Sequence, residues 1–332
     1  LRSMSKQQGE LSLRQFENQV AVVTGAGNNG IGWGIAKHAA LELGMHVVLV
    51  DLHRSVVDSA CERLKELVDQ QKVIGVQCDV TRVEDLERCV TEIQEKIPDN
   101  PIGMVFANAG VIFNNTILKS DLEDWKTTLN VNVIGVVATA KVFIPLLQAQ
   151  QAESVFCSTA SVGGLVRGDG GAASYQASKH AVVALSESLS FEIAKKSPQI
   201  RVCVLCPCIV ASSLMASSEV NKRSGRGELE VDPQQLQPMS HQFSMTPENH
   251  AKQVFDLMEQ GKFYMVTDNV RPYVDHDYPF DAQTIINERL QNLEQLDLDN
   301  SDAFVALEGR HPSSILKGPM FQEITRLAKA DT

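Results

Sequence analysis

Tyr175 and Lys179 stand four residues apart in the run Tyr175-Gln176-Ala177-Ser178-Lys179. On a helix, that spacing puts both side chains on one face. A phenol and an ammonium that share a cavity can move a proton. Free tyrosine has a pKa of about 10, so only about one in a thousand is ionised at pH 7. Burial raises the value, whereas a neighbouring cation favours the phenolate. Lowering it by about 3 units takes roughly 4 kcal/mol. Two close positive charges in a partly dry cleft supply energies of that order. The pair therefore predicts a phenol tuned by Lys179, although the spacing alone is common by chance.

A glycine-rich run suits a different task. Thr24-Gly25-Ala26-Gly27-Asn28-Asn29-Gly30-Ile31-Gly32 follows an apolar stretch and opens a helical pattern. Glycines let a chain turn sharply and let its backbone approach a pyrophosphate. The next helix adds free N–H groups and the positive end of its dipole. Gly25, Asn29, Gly30 and Ile31 are the candidate phosphate contacts. Asp51 closes the next apolar run, nineteen residues after Gly32. An acidic residue at about that distance is expected on a ribose 2′-hydroxyl. It would repel a 2′-phosphate, which favours NAD over NADP. His53 and Arg54 lie close by and temper that preference. Asp79 suits an adenine contact or a helix cap.

These residues need a scaffold that brings them together. Apolar runs at 19–24, 45–50, 73–78, 103–107, 154–158, 201–206 and 263–267 read as buried strands. Helical spacing covers 31–43, 55–69, 83–96, 122–150, 174–196 and 247–260. The alternation predicts an α/β fold, a Rossmann-type doubly wound parallel sheet with helices on both faces. The expected organisation is a flexible segment at 1–17, one domain at 18–267 and a C-terminal extension at 268–332 with a helix near 280–297. Residues 211–246 are rich in Ser, Gln, Glu and Pro and lack periodicity. A loop that long is usually functional, and it is expected to border the substrate.

The chain has 332 residues, 43% of them hydrophobic, and a formal net charge of -11. An acidic surface repels phosphate backbones, which argues against nucleic acid and anionic membranes as partners. No unbroken run of eighteen apolar residues occurs, so no membrane span is expected. Leu1-Arg2-Ser3 is expected to be extraneous, with the natural start at Met4. The polar N-terminus carries no apolar signal core, and seven cysteines, an odd number, suggest reduced thiols in a cytoplasmic protein. Cys203, Cys206 and Cys208 cluster, but no second group has metal-ligand spacing, so no metal is expected.

The landmarks together resemble a classical short-chain dehydrogenase/reductase over roughly residues 18–267. They are Thr24-Gly25 through Gly32, Asp51, Asp79-Val80, Asn108-Ala109-Gly110, Asn132, Ser161, Tyr175 with Lys179, and Pro207 through Ser212, in the family's order. The resemblance implies hydride transfer between a nicotinamide dinucleotide and a secondary alcohol or ketone. Tyr175 would be general acid/base, and Lys179 would hold the nicotinamide ribose and tune Tyr175. Ser161 would bind the substrate oxygen, with Ser158 as a rival. Asn132 would hold a relay water between Lys179 and solvent. Asp79, Val80, Asn108, Ala109 and Gly110 would flank the adenine and ribose, and Val210 and Ser212 the carboxamide. Phe113 and Cys208 would touch substrate. The family also implies a homodimer or homotetramer through helices 122–150 and 174–196.

Three departures stand out. The first turn is one residue longer than the family pattern, and Asn28 and Asn29, which tolerate left-handed backbone, are expected to absorb it. The Ser161–Tyr175 interval is also one residue longer, within reach of the Gly168–Gly171 segment. Cys208 stands where the family usually has glycine. The alternatives are an NADPH-dependent carbonyl reductase and a non-enzymatic NAD(H) sensor on the same fold.

Overall fold

The computed structural model describes residues 9–27, 29–150, 152–165, 171–224 and 244–267. Seven parallel strands form one sheet in the order β3-β2-β1-β4-β5-β6-β7. They are β1 (Val20–Thr24), β2 (His46–Asp51), β3 (Val73–Gln77), β4 (Ile102–Ala107), β5 (Ser154–Thr159), β6 (Ile200–Pro207) and β7 (Tyr264–Thr267). β1 and β4 are buried at every position. Strands covered on both faces need no polar alternation, which is why their sequences read as unbroken apolar runs.

The helices are α1 (Ile31–Leu41), α2 (Arg54–Lys65), α3 (Val83–Lys96), α4 (Leu122–Leu129), α5 (Gly135–Gln150), α6 (Ala173–Lys196), α7 (Leu214–Ser224) and α8 (Pro247–Glu259). α1, α2 and α8 cover one face, where Ile35, Leu64 and Phe255 join the core. α3, α5 and α6 cover the other, around Leu86, Phe143 and Val182. Chain order reverses between β1 and β4, and the carboxyl ends of those strands open a crevice there.

α4 and α5 run on as one helix through a π turn at Asn130–Ile134. Leu122–Gln150 is 29 residues long, and its most apolar window has a mean hydropathy of 1.7. By length and composition it could span a membrane, which the search for unbroken apolar runs overlooked. In the fold its Phe143, Ile144 and Leu147 belong to the core between sheet and helices.

Two expectations need correction. Part of the segment at 1–17 is packed rather than flexible: Leu11, Leu13 and Phe16 are buried, and Leu11 N–H donates to Glu259 O at 2.8 Å. The region 211–246 is not loop throughout, because α7 occupies Leu214–Ser224. The remainder of that region at 225–243, residues 168–170 of the glycine-rich segment, the tail 268–332 and its expected helix lie outside the described residues.

Candidate active site

One cavity of about 1210 Å³ opens over the carboxyl ends of the central strands. Its phosphate end is the turn after β1. Gly25 has φ +66°, and a Cβ there would stand 2.8 Å from Ala109 Cα. A Cβ at Gly32 would come within 2.5 Å of Gly25 O. Only glycine lets the turn fold this tightly against the strand. Gly30 caps α1 without a side-chain hydrogen bond, and Gly30, Ile31 and Gly32 line the cavity. This is a helix N-terminus with the donors an anion needs.

Thr24 Oγ1 ties β1 to β4: it donates to Phe106 O and accepts from the N–H groups of Asn108 (2.9 Å) and Ala109 (3.0 Å). Asn108 Nδ2 donates back to Thr24 O at 2.9 Å. Asn108, Ala109 and Gly110 thus form a fixed cavity wall. Asp51 accepts from Gly27 N–H at 2.9 Å and from Leu52 N–H at 2.8 Å. Burial pushes its carboxyl up, and those two donors pull it back. Asp79 accepts from Thr81 N–H and Oγ1 in the turn before α3, whose N-cap is Arg82, so it closes that turn rather than capping the helix. It also borders the cavity, as does Val80.

At the other end, Ser161, Tyr175 and Lys179 line the same cavity. The Ser161 side chain stands close enough to the Tyr175 phenol to favour its ionised form, and Ser161 Oγ accepts from Gly163 N–H at 3.1 Å. Ser158, the rival, is buried inside β5 and does not reach the cavity wall. Lys179 is 3% exposed; its Nζ donates to Thr159 O at 2.7 Å and lies 5.5 Å from the Tyr175 ring centroid. Burial pulls Lys179 down to about 8. Burial also pushes the Tyr175 phenol up, and only the Ser161 side chain opposes it.

Lys179 is thus not among the groups that lower Tyr175, contrary to expectation. The ammonium is aimed at a backbone carbonyl, and the cost of burying a phenolate dominates.

Asn132 lies behind the wall rather than in it, fully buried in the π turn. Its Oδ1 accepts from Val111 N–H at 2.8 Å; its Nδ2 donates to Val111 O and Ser178 Oγ, both at 2.9 Å. One lone pair of Oδ1 remains available. A Cβ on Gly110 would stand 3.2 Å from that oxygen and 3.5 Å from Lys179 Nζ. Glycine at 110 thus leaves room for both the Asn132 amide and the Lys179 ammonium beside the backbone.

Phe113, Cys208, Val210 and Ser212 complete the expected set on the cavity wall. Val210 bridges to Met245, which fixes the segment after β6. Asn29 does not line the cavity; it is exposed and accepts from Arg63 Nη1. Nor does it take left-handed backbone, which among the described non-glycine residues occurs at Asn18; Asn28, the other residue expected to absorb the added length, lies outside the described residues.

α7 is the part that sequence reasoning missed. Leu214, Ser218, Asn221 and Lys222 all line the cavity. Ser218 Oγ accepts from Ile112 N–H at 2.9 Å, Asn221 Oδ1 pairs with His53 Nε2 at 3.0 Å, and Lys222 pairs with the buried Asp124. The helix lies as a strap from the β2 end to the α4 side. Its spacing at 214, 218, 221 and 222 is helical, but three of the four residues are polar, so hydrophobic periodicity gives no signal.

A dinucleotide-sized cleft, a glycine turn at the switch point and a Ser–Tyr–Lys group on one cavity wall define an NAD(P)-dependent oxidoreductase acting on CH–OH groups. The short chain dehydrogenase family profile matches residues 19–223, and the chain belongs to that family. It is 32% identical to meso-2,3-butanediol dehydrogenase of Serratia marcescens over 200 residues, covering 60% of this chain and 74% of that one. It is 32% identical to (-)-trans-carveol dehydrogenase of Rhodococcus erythropolis over 192 residues, covering 55% and 68%. A short-chain dehydrogenase from Burkholderia phymatum, solved in complex with NAD, superposes with a TM-score of 0.68 at 26% identity, covering 85% of this chain and 95% of that one.

Proposed function

We propose that the protein interconverts a secondary alcohol and a ketone with NAD(H), and that Tyr175 is its general acid/base. The observation that carries this is that Ser161, Tyr175 and Lys179 line one wall of the same cavity. The residues fit a dinucleotide: the Gly25 and Gly32 cradle would be filled by any Cβ, and the α1 N-terminus faces the cleft. Bound nicotinamide supplies the hydride chemistry. Gly25, Gly30 and Ile31 hold the phosphates, and Asp51 takes the ribose hydroxyls and disfavours a 2′-phosphate. Asp79, Val80 and Asn108–Gly110 flank the adenosine, and Val210 and Ser212 hold the carboxamide. Asn29 acts from behind the turn.

In reduction, Tyr175 gives its proton to the substrate oxygen while Ser161 hydrogen-bonds that oxygen. The raised phenol suits this direction, because it is protonated at neutral pH. In oxidation the phenolate must form first, and the charge of Lys179 assists. The proton then leaves by way of Lys179 and a water on the remaining lone pair of Asn132 Oδ1, and in reduction it comes back along the same route. Phe113, Cys208 and α7 shape the substrate side. The relatives named for butanediol and carveol support a small alcohol or ketone as substrate.

A homodimer or homotetramer would cover the apolar side of α4–α5 and α6, where Leu129, Ile134 and Phe191 are exposed. Free cysteines, including Cys61 and Cys203, fit a cytoplasmic setting.

The test is a panel of secondary alcohols with NAD⁺ and NADP⁺, followed by absorbance of the reduced cofactor. Tyr175→Phe keeps the ring and removes the proton. We expect turnover to fall by at least about 10²-fold. Turnover near the parent level would refute the role.

A further inference from the structure

Arg63 reaches the glycine turn from behind, from the last turn of α2. Its Nη2 donates to Gly27 O at 3.2 Å, its Nη1 to Asn29 Oδ1, and its guanidinium lies 4.1 Å from the Trp33 ring centroid. Trp33 sits in the first turn of α1 and is buried. Arg63 is half-buried, and burial alone pulls its pKa down; no carboxylate among the described residues offsets that cost. A cation kept half out of water without a counter-ion needs another reason to be there.

The turn supplies the reason. Gly27 N–H points at Asp51 and Gly27 O at Arg63, so the Gly27 peptide is held from both sides. Its Cα has no room for a side chain, since a Cβ would meet Val56 at 2.3 Å. The turn is one residue longer than the family pattern, and Asn29 does not absorb the excess by left-handed backbone. The guanidinium ties down both flanks of the added length while its face stacks on the helix that the turn opens. It does not line the cavity.

We propose that Arg63 is a positioning residue for the cofactor. It holds the lengthened turn so that the backbone N–H groups of Gly30 and Ile31 face the dinucleotide phosphates, and it adds positive potential behind them. This rests on the dinucleotide-dependent reading above. A fixed turn acts on cofactor affinity and leaves the proton-transfer group 161–175–179 unaltered.

The experiment measures NADH binding by fluorescence titration for the parent, Arg63→Met and Arg63→Lys, with melting followed by circular dichroism. Single-turnover ketone reduction at saturating NADH gives the chemical rate. Arg63→Met keeps an apolar stem against Trp33 and loses both charged hydrogen bonds. Its Kd for NADH is expected to rise about tenfold, with the single-turnover rate within about twofold of the parent. Arg63→Lys keeps the charge and one donor direction, and should recover about half of the loss on a logarithmic scale. Equal Kd values in parent and Arg63→Met overturn this inference and leave the oxidoreductase reading standing. A lowered single-turnover rate with unchanged Kd also overturns it. A parent protein that binds neither NADH nor NADPH overturns both readings. If Arg63→Met does not fold, Arg63→Lys decides: an unchanged Kd there refutes the clamp.

Discussion

At the scale of single residues, the chemistry turns on how one hydrophobic cleft treats two ionisable groups. The same burial pushes the Tyr175 phenol up and pulls the Lys179 ammonium down to about 8. Both shifts favour neutral forms, as a low-dielectric site must. The sign of the pH dependence follows. Reduction needs the protonated phenol, which persists well above neutral pH, so Tyr175 does not set the alkaline limit there. Lys179 does: its positive charge, which anchors the ribose, is lost as pH rises through about 8. We predict that kcat/KM for ketone reduction is flat between about pH 6 and 7 and falls above about pH 8, since that ratio reports the free protein. Lys179→Arg keeps the cation at all these pH values. The residual activity of that variant should lose the limb near pH 8; a limb that stays in place assigns it to another group. Tyr175, Lys179, the glycine turn and Asp51 were legible from residue type and spacing, whereas Ser161, Asn132, Val210 and Ser212 follow only from the resemblance to the family. The direction of the Tyr175 shift was not legible. It depends on where the Lys179 Nζ points, and Thr159 O captures it at 2.7 Å.

At the scale of elements, strands and helices of the central sheet could be read almost to their ends, since each buries an apolar run or stripe. α7 could not, because its inner face is polar. That face does its work through three separate bonds, to Ile112, His53 and Asp124. Asp124 is only 3% exposed, so the Lys222 ion pair carries more weight than a surface pair would. Lys222 also stands 5.4 Å from the Phe113 ring centroid, at the substrate side of the cavity. We predict that Lys222→Met releases the far end of the strap, because a buried carboxylate without its cation pulls away from the wall. Substrate KM should rise about three- to tenfold while kcat stays level or increases, the pattern expected when a covering element opens more readily. Adding Asp124→Asn removes the stranded charge and should restore part of the KM. Steady-state kinetics on the three proteins decide this. An unchanged KM in Lys222→Met would mean that α7 is held without the ion pair.

At the scale of the whole molecule, the sheet is closed by its last described helix and strand. α8 lies along α1 on the face opposite α6, with the His38 and Phe255 rings stacked at 4.6 Å and Lys37 paired with Glu248 at 3.0 Å. A Cβ at Gly34 would meet Pro247 O at 2.3 Å, so the two helices touch backbone to backbone there. The N-terminal segment then docks on the end of α8 through Leu11. His250, in the first turn of α8, is fully buried, with neither ring nitrogen hydrogen-bonded. Burial lowers its pKa from 6.5 to about 4. Between those values the unfolded chain binds a proton that the native protein refuses, so stability is complete above pH 6.5 and declines as pH falls toward 4. Over pH 7 to 5 this one group removes about 2 kcal/mol of stability. His250→Leu fills the same apolar space and cannot titrate. We predict that the drop in unfolding free energy between pH 7 and 5, measured by urea denaturation, is smaller in the variant by about that amount. Parallel pH profiles for the two proteins would show that His250 takes up its proton without disturbing the α1–α8 contact. The acid-sensitive seam would then have to be sought elsewhere along the sheet.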